Sequence, residues 1–227
     1  MNKKVLVVGA HPDDEVLGCG GTIAKYIQQN DEVFCLILGE GITSRYGRVK
    51  GLQKALKELK LEAMHASEIL GVKTVIFKDF RDNCFDTIPL LTLIKAVEEI
   101  KEEIKPDIIY THHQGDLNID HQLTLRAVLT ACRSLSGETV REIYSFEAAS
   151  STEWSSPHAQ NVFIPNVFVD ISETFEKKIE ALKAYKNEMR EYPHPRSPEA
   201  LCAIGMRWGS IVGCEKAEAF ELIRIIK

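Results

Sequence analysis

The chain has 227 residues, of which 44% are hydrophobic, and its formal net charge is −5. This composition excludes a largely disordered chain, and the interspersed acids and bases exclude a nucleic-acid-binding stripe or a polybasic membrane patch. No apolar run approaches the ~20 residues of a membrane span or forms a signal-peptide core, so we expect one cytoplasmic domain over residues 1–227. The six cysteines form no Cys-x-x-Cys pair, which is typical of buried thiols in a reducing compartment.

Strands and helices alternate in the first half of the chain. The apolar run Val5–Val8 predicts a strand that ends before Pro12, because proline has no N–H for a sheet ladder. Helical spacing of apolar residues predicts a helix at 16–29, where Gly18, Gly20 and Gly21 indicate a close approach of another backbone or a ligand. A strand at 32–38, a helix at 49–70 and a strand at 74–77 follow, and the strand leads into a polar loop at 79–83.

The second half repeats this alternation. A helix is predicted at 90–104, a strand at 107–111 and a helix after residue 121. Two further strands are predicted at 141–146 and 167–171, separated by a long serine-containing excursion near the expected site. Ser172 is the expected N-cap of a helix that reaches Tyr185, and Pro198 suits the first turn of a last helix.

The order of these elements predicts an α/β fold, a three-layer α/β/α sandwich with a mainly parallel sheet. If strand one is central, with strands two and three on one side and strand four on the other, the strand order reverses between strands one and four. Ligands bind at this switch point, outside the carboxyl ends of the strands. We therefore expect the residues that follow strands one and four to meet in space.

Both of these strand ends carry histidines and carboxylates. His11-Pro12-Asp13-Asp14-Glu15 follows strand one, and the segment 112–121, which contains three histidines and two aspartates, follows strand four. Adjacent acids repel one another unless a cation or hydrogen-bond donors compensate them, although a solvated acidic turn is the simpler interpretation. A mixed His/Asp set suits zinc, with other divalent metals as alternatives: His11, Asp14 and one later histidine leave a fourth position for water. Asp13 is then free to serve as the general base.

These motifs resemble those of the LmbE-like (PIG-L) zinc-dependent N-deacetylases. The resemblance is carried by His11-Pro12-Asp13-Asp14-Glu15 after an apolar strand and by Asp120-His121 at the start of a later helix, and the segment 217–220 also fits. It implies a Rossmann-like fold and an enzyme that removes the acetyl group from an N-acetylglucosamine-type sugar or sugar conjugate. By this resemblance His11, Asp14 and His121 are zinc ligands, Asp13 is the catalytic base, and Asp120 orients a histidine. It also favours a homo-oligomer, because relatives often assemble.

One position departs from the family pattern. Well-known members carry His-Pro-Asp-His, whose first histidine serves as general acid or oxyanion donor, whereas this chain has Asn118-Ile119-Asp120-His121. Asn118 can donate a hydrogen bond to a substrate oxyanion but cannot supply a proton, and it is alternatively only a helix N-cap. Either Asp13 returns the proton to the leaving amine or a histidine supplies it. His194, in a proline-bracketed loop, is the first choice among the histidines, ahead of His112 and His113.

Two other functions stay open at this stage. The first is a metal-dependent hydrolase of another amide, an ester or a phosphoester, which a panel of small substrates would distinguish by its products. The second is a non-catalytic sugar- or nucleotide-binding module on the same scaffold. Against the second stands the complete water-activating set of His11, Asp13, Asp14 and His121.

Two arginines lie in loops on the predicted functional edge of the sheet. Arg45 follows strand two and Arg81 follows strand three. The planar guanidinium group suits phosphate or carboxylate, so we expect both to bind an anionic substrate, such as a sugar linked to one of these groups. The alternative is that each arginine is only a counter-ion for neighbouring acids.

We expect Arg45→Ala to raise KM for an anionic N-acetyl sugar conjugate and to leave KM for a small neutral N-acetyl sugar nearly unchanged, because only the anionic substrate would contact the guanidinium. Steady-state kinetics on both substrates measures the difference. Equal losses on the two substrates would assign Arg45 a role in the structure of the site instead.

Overall fold

A computed structural model describes residues 2–43 and 51–227 of the chain. Within these residues seven strands form one sheet. They are β1 (Lys4–Gly9), β2 (Glu32–Gly39), β3 (Thr74–Phe80), β4 (Ile108–His112), β5 (Glu142–Phe146), β6 (Val167–Asp170) and β7 (Ala217–Ile225).

The α-helices of the described residues alternate with these strands. They are α1 (Asp14–Gln28), α2 (Leu52–Leu70), α3 (Leu90–Ile104), α4 (Ile119–Ala131), α5 (Phe175–Ala184) and α6 (Pro198–Val212). Short 3₁₀ turns occur at Phe85–Thr87 and Thr152–Trp154. None of the helices in the described part of the chain has both the length and the hydropathy that a bilayer crossing requires.

The sheet has the strand order β3-β2-β1-β4-β5-β7-β6, and its first five strands are parallel. In the centre of the sheet Val7 of β1 lies beside Cys35 of β2 and Tyr110 of β4. The strand order therefore reverses between β1 and β4, as predicted. This arrangement brings the carboxyl ends of β1 and β4 side by side, which is where the two groups of histidines and carboxylates begin.

Two apolar clusters cover the two faces of the sheet. In β1 the side chains alternate: Val5 and Val7 belong to the cluster packed against α1, α2 and α5, and Leu6 and Val8 to the cluster packed against α3 and α4. Every one of these four side chains is at most 1% exposed. Burial on both faces is typical of a central parallel strand. The predicted Rossmann-like three-layer sandwich is therefore confirmed.

The last strand, β7, has no counterpart among the predicted strands. It lies antiparallel between β5 and β6, so that Phe220 pairs with Phe146 on one side and with Val167 on the other. The sheet is consequently mixed at this edge. Its sequence, Ala-Glu-Ala-Phe-Glu-Leu-Ile-Arg-Ile, does not alternate strictly between apolar and polar residues, so periodicity does not predict a strand there.

Two local predictions were wrong. Asp79 and Phe80 belong to β3 and not to a loop. Ser172 does not cap the next helix, which begins at Phe175 with Thr174 at the N-cap position. The Ser172 hydroxyl instead donates to the Asp170 carboxylate at 2.6 Å. Because its hydroxyl is hydrogen-bonded to this nearby carboxylate, Ser172 does not cap the helix.

The glycines of α1 serve close packing, and the helix is broken beside them. Cys19 has a non-helical backbone (φ −147°, ψ 25°), and a Cβ atom on Gly18 would overlap the ring of Phe146. The Glu218 carboxylate of β7 accepts hydrogen bonds from the backbone N–H groups of Gly21 (3.0 Å) and Thr22 (2.7 Å) after the break. It also pairs with the buried Lys178 ammonium at 2.6 Å.

Glu218→Ala should lower the free energy of unfolding by about 3–5 kcal/mol, because it leaves a buried ammonium without its carboxylate and two backbone donors of α1 without an acceptor. Urea unfolding followed by circular dichroism measures the change. Glu180→Ala, at an exposed position of α5, is the matched control and should shift stability by no more than about 0.5 kcal/mol. Equal stability of the two variants would contradict the role assigned to Glu218.

Candidate metal centre

Three side chains from the ends of β1 and β4 converge at one point. His11 lies in the turn after β1, Asp14 is the first residue of α1, and His121 lies in the first turn of α4. The Oδ2 atom of Asp14 is 3.7 Å from His11 Nδ1 and 3.4 Å from His121 Nε2. Potential ligand atoms of all three residues lie within 4.8 Å of one another. The structure thus brings together the three residues predicted as metal ligands.

Carboxylate oxygens lie close to the other nitrogen of each of these two imidazoles. His11 Nε2 is 3.0 Å from Asp120 Oδ2 and 3.2 Å from Asp82 Oδ1. His121 Nδ1 is 3.1 Å from Asp116 Oδ1. Such partners fix the tautomer and the orientation of metal-binding histidines. The donor set therefore fits a divalent ion that is bound through His11 Nδ1, Asp14 Oδ2 and His121 Nε2.

The orienting carboxylates are themselves anchored. The Asp116 carboxylate accepts hydrogen bonds from the hydroxyls of Ser151 and Thr152, the latter at 2.7 Å. Asp120 Oδ1 accepts the backbone N–H of Phe85 at 3.0 Å. The excursion after β5 and the turn after β3 therefore both support the centre.

The charges of the centre are strongly coupled. Burial disfavours the ionised form of Asp14, but His121, His112 and His11 outweigh burial and lower its pKa. Burial likewise disfavours the imidazolium of His121, but Asp14 and Asp116 raise the pKa of His121 to about 9. These shifts describe the side chains without an ion, and a bound divalent cation would take the place of the proton on His121.

The two histidines at the end of β4 face in different directions, as strand alternation predicts. His112 Nε2 accepts the backbone N–H of Ala10 at 2.9 Å, and its ring stacks on that of His121 with centroids 3.9 Å apart. His113 turns away and pairs with Glu221 at 2.8 Å. His112 contributes to a second possible ligand set with Asp116 and His121, but its Nε2 lone pair is already engaged by Ala10.

Asp13, the predicted base, has a strained backbone and a paired side chain. Its φ of 102° lies in the left-handed region, and its N–H donates to Glu15 Oε2 at 3.1 Å. Asp13 Oδ2 is 2.5 Å from Arg196 Nη1, which also lies 2.9 Å from Glu188 Oε2. Burial raises the pKa of Asp13 well above its ordinary value, although Arg196 opposes this.

These side chains line a small polar crevice of about 100 Å³. Among the described residues its walls are His11, Pro12, Asp13, Asp14, Gly41, Asp82, Asn83, Asn118, His121, Ser150, Ser151, Glu188 and Arg196. A side chain at Gly41, whose φ is +84°, would place Cβ 2.7 Å from Pro12 Cδ. The crevice therefore needs glycine at this position.

Of the other residues predicted for the site, Asn118 lines the crevice, whereas His194 and Arg81 do not. Asn118 lines the crevice, and its Oδ1 accepts the backbone N–H of Asp120 at 2.9 Å, so it is also the N-cap of α4. His194 is not among the residues lining the crevice; its Nδ1 accepts the N–H of Arg196, and its ring lies 5.8 Å from that of Trp154. Arg81 is exposed. Arg45 lies outside the described residues.

Sequence reasoning missed two residues that contact the centre. Asp82 was assigned only to a polar loop, and Arg196, which follows the His194 loop, was considered only as a further arginine suited to an anionic substrate. The signal for Asp82 was its place after β3, on the same sheet edge as the centre. A buried carboxylate such as that of Asp13 needs a counter-ion, which is the only indication of Arg196 in the sequence. Nothing in the sequence indicates which arginine reaches Asp13.

The sequence pattern of the PIG-L family, described as GlcNAc-PI de-N-acetylase, matches residues 6–132. A protein of Escherichia coli (strain K12) named uncharacterized deacetylase YaiS is 31% identical over 191 residues, covering 82% of this chain and 91% of that protein. Diacetylchitobiose deacetylase of Thermococcus kodakarensis is 28% identical and covers 97% and 83% of the two chains. A probable N-acetyl-alpha-D-glucosaminyl L-malate deacetylase 2 of Bacillus anthracis is 28% identical and covers 82% and 81%.

Solved structures share the fold over nearly the whole chain. N,N'-diacetylchitobiose deacetylase from Pyrococcus horikoshii superposes with a TM-score of 0.78 at 21% identity, covering 98% of this chain and 84% of that one. The zinc inhibited form of teicoplanin deacetylase Orf2 gives a TM-score of 0.75 at 15% identity, covering 97% and 98%. GalB, a 4-carboxy-2-hydroxymuconate hydratase from Pseudomonas putida, gives a TM-score of 0.76 at 23% identity, covering 99% of this chain and 98% of that one. Because a hydratase shares it, the fold alone does not specify the reaction.

We expect one divalent ion per chain, lost in His11→Ala, Asp14→Ala and His121→Ala, because each variant removes one of three converging ligands. Elemental analysis of dialysed protein measures the metal content. His65→Ala, at an exposed position of α2, is the control and should keep the ion. Full occupancy in all three ligand variants would show that the ligand assignment is wrong.

Proposed function

Since this chain belongs to the PIG-L family of GlcNAc-PI de-N-acetylases, we infer that it is a hydrolase that removes the N-acetyl group from an amino sugar or sugar conjugate, releasing acetate and a primary amine. Relatives named as deacetylases of diacetylchitobiose and of N-acetylglucosaminyl malate support this substrate class. The observation that carries the inference is the convergence of His11, Asp14 and His121 in a crevice that also contains Asp13.

We propose that His11, Asp14 and His121 hold one zinc ion, with other divalent metals as alternatives. Two imidazoles and one carboxylate are a ligand set that suits zinc in a catalytic site. A divalent ion bound there supplies Lewis-acid polarisation of the amide carbonyl and lowers the pKa of water. Asp120, Asp82 and Asp116 orient the two imidazoles through their outer nitrogens.

Asp13 is the proposed base that takes the proton of the attacking water. Arg196 fixes its carboxylate at the wall of the crevice through Oδ2, while Oδ1 makes no hydrogen bond among the described residues. One oxygen atom is thus left for the water. Asp13 also returns the proton to the leaving nitrogen in this proposal, which is supported by the position of His194 outside the crevice lining. In this proposal no histidine is needed to protonate the leaving nitrogen.

Asn118 is the proposed donor to the oxyanion that forms on the acetyl carbonyl. Its Oδ1 is committed to the N-cap of α4, which fixes the amide plane. The NH₂ half of the same amide makes no hydrogen bond with the described residues, and the side chain lines the crevice. Donors aimed at developing negative charge are a large contribution to acyl-transfer catalysis.

An anionic group on the substrate remains our proposal. The malate of the Bacillus anthracis relative's named substrate supports it, because malate carries carboxylates. The arginine that lines the crevice, Arg196, already contacts Asp13 and Glu188. The anionic group would therefore bind outside the crevice, at Arg45 or Arg81, as the Arg45→Ala experiment tests.

We further propose that residues 1–227 form one deacetylase domain that works in the cytoplasm as a homo-oligomer. The shared sheet supports one domain, because its central strand β1 and its late strand β7 come from opposite ends of the chain. Six free cysteines support a reducing compartment. Sedimentation analysis of the metal-loaded protein tests the oligomeric state directly.

Asp13→Asn should retain the metal and lose roughly a hundred- to ten-thousand-fold in kcat, because the amide keeps the shape of the carboxylate but cannot accept the proton. Acetate release from a panel of free, phosphorylated and malate-linked N-acetylglucosamines measures the activity, and elemental analysis measures the metal.

Asp86→Asn, at an exposed carboxylate near the same sheet edge, is the matched control and should leave kcat unchanged. Near-normal turnover of metal-loaded Asp13→Asn would remove Asp13 from the mechanism. Absence of acetate release from every substrate in the panel by the native enzyme would overturn the deacetylase function itself.

A further inference from the structure

A second cavity lies behind the loop that carries Arg196. It has a volume of about 370 Å³ and is lined by α6, by Tyr192, Pro193 and Pro195, by the start of β7 and by parts of α1 and α5. None of its described lining residues also lines the metal crevice. Its volume falls within the range of about 300–1,000 Å³ that is typical of small-molecule sites.

The wall of this second cavity is largely apolar. Leu17, Ile171, Phe175, Leu201 and Trp208 contribute aliphatic and aromatic surface. Small residues of α6, namely Ala200, Ala203 and Gly205, also line it and leave space between the larger side chains. A molecule with an apolar body would bury its surface there.

Most charged groups of the wall already have partners within the protein. Lys178 pairs with Glu218 at 2.6 Å and donates to the Leu17 carbonyl at 2.8 Å. Glu153 accepts the backbone N–H groups of Ser150 and Ser151. The guanidinium of Arg207 lies over the Trp208 ring, 4.4 Å from its centroid.

Glu147 is the exception. Its Oε1 accepts the indole N–H of Trp208 at 2.6 Å, whereas Oε2 makes no hydrogen bond with the described residues. Burial raises the pKa of this carboxyl group, and the Trp208 hydrogen bond opposes the rise. Glu147 is half-buried, and its Oε2 is therefore available to a donor bound in the cavity.

We propose that this cavity binds one small molecule with an apolar body and a primary amine, whose ammonium group contacts Glu147 Oε2. The charge of the lining favours a cation, because the carboxylates of Glu147, Glu153 and Glu218 face the cations of only Lys178 and Arg207 among the described residues. The apolar wall accommodates the body of the ligand. This site is separate from the metal crevice and does not rest on the proposed deacetylase function.

Octylammonium, 1-octanol and octanoate separate the contribution of the ammonium group to binding from that of the apolar body. They share one chain length and differ only in the head group. Isothermal titration calorimetry near neutral pH should show one octylammonium per chain, about tenfold or more tighter than octanol, since a hydrogen bond to a charged group adds to the burial of the chain. Octanoate should not bind. The same affinities should be obtained after the metal is removed with a chelator.

Glu147→Gln should abolish the preference for octylammonium over octanol while leaving octanol binding unchanged, because the amide keeps the contact with Trp208 and loses the charge. Glu180→Gln, at an exposed carboxylate of α5, is the matched control and should bind as the native protein does. Ala200→Trp should fill the cavity and remove all binding. Ala203→Trp replaces it if circular dichroism shows that the first filling variant does not fold.

Three results would overturn the proposal. The first is no saturable octylammonium binding, and the second is an unchanged octylammonium affinity in Glu147→Gln. The third combines two observations: the native protein is a dimer that binds no amine, and Ala200→Trp dissociates this dimer in sedimentation experiments. That result would assign the cavity to contact with a second copy of the chain. Loss of acetate release without loss of amine binding would affect only the proposed function.

Discussion

The buried carboxylate of Asp14 is the constraint on which the functional centre depends. The residue is 1% exposed, and an ionised carboxylate without partners costs several kcal/mol in such surroundings. The backbone N–H of His11 donates to it at 2.7 Å, and His121 Nε2 lies 3.4 Å from it. His121 comes from the helix that follows β4. Adjacent parallel strands are therefore a requirement for burying Asp14.

A second set of carboxylates determines how the imidazoles are used. Asp82, Asp116 and Asp120 occupy the outer nitrogens of His11 and His121, so the remaining nitrogens face Asp14. The anchors of these aspartates come from the turns after β3 and β5. Preorganisation of this kind restricts the two imidazoles to one arrangement. The loops at this edge of the sheet thus support the centre through hydrogen bonds, while the strands provide its position.

The last third of the chain supports the other side of the centre. Arg196 crosses from the loop before α6 to Asp13, whose left-handed backbone costs on the order of 1–3 kcal/mol. The Tyr185 hydroxyl donates to Glu15, which in turn accepts the N–H of Asp13. These contacts keep the Asp13 side chain in place. They also separate the polar metal crevice from the apolar cavity behind it, so one loop forms the boundary between two chemically different spaces.

The sequence by itself determined the features that depend on local pattern. The alternation of apolar runs and helical spacing predicted the parallel sheet and its switch point, and the three-residue spacing of His11 and Asp14 placed both side chains in one turn. Strand alternation likewise explains why His112 and His113 face apart. Only the tertiary structure decided that β7 inserts between β5 and β6 and that Arg196 reaches Asp13 from 183 residues away. Periodicity reports which face of an element is buried, whereas the partner of a buried charge depends on which distant segments the assembled sheet brings into contact with it.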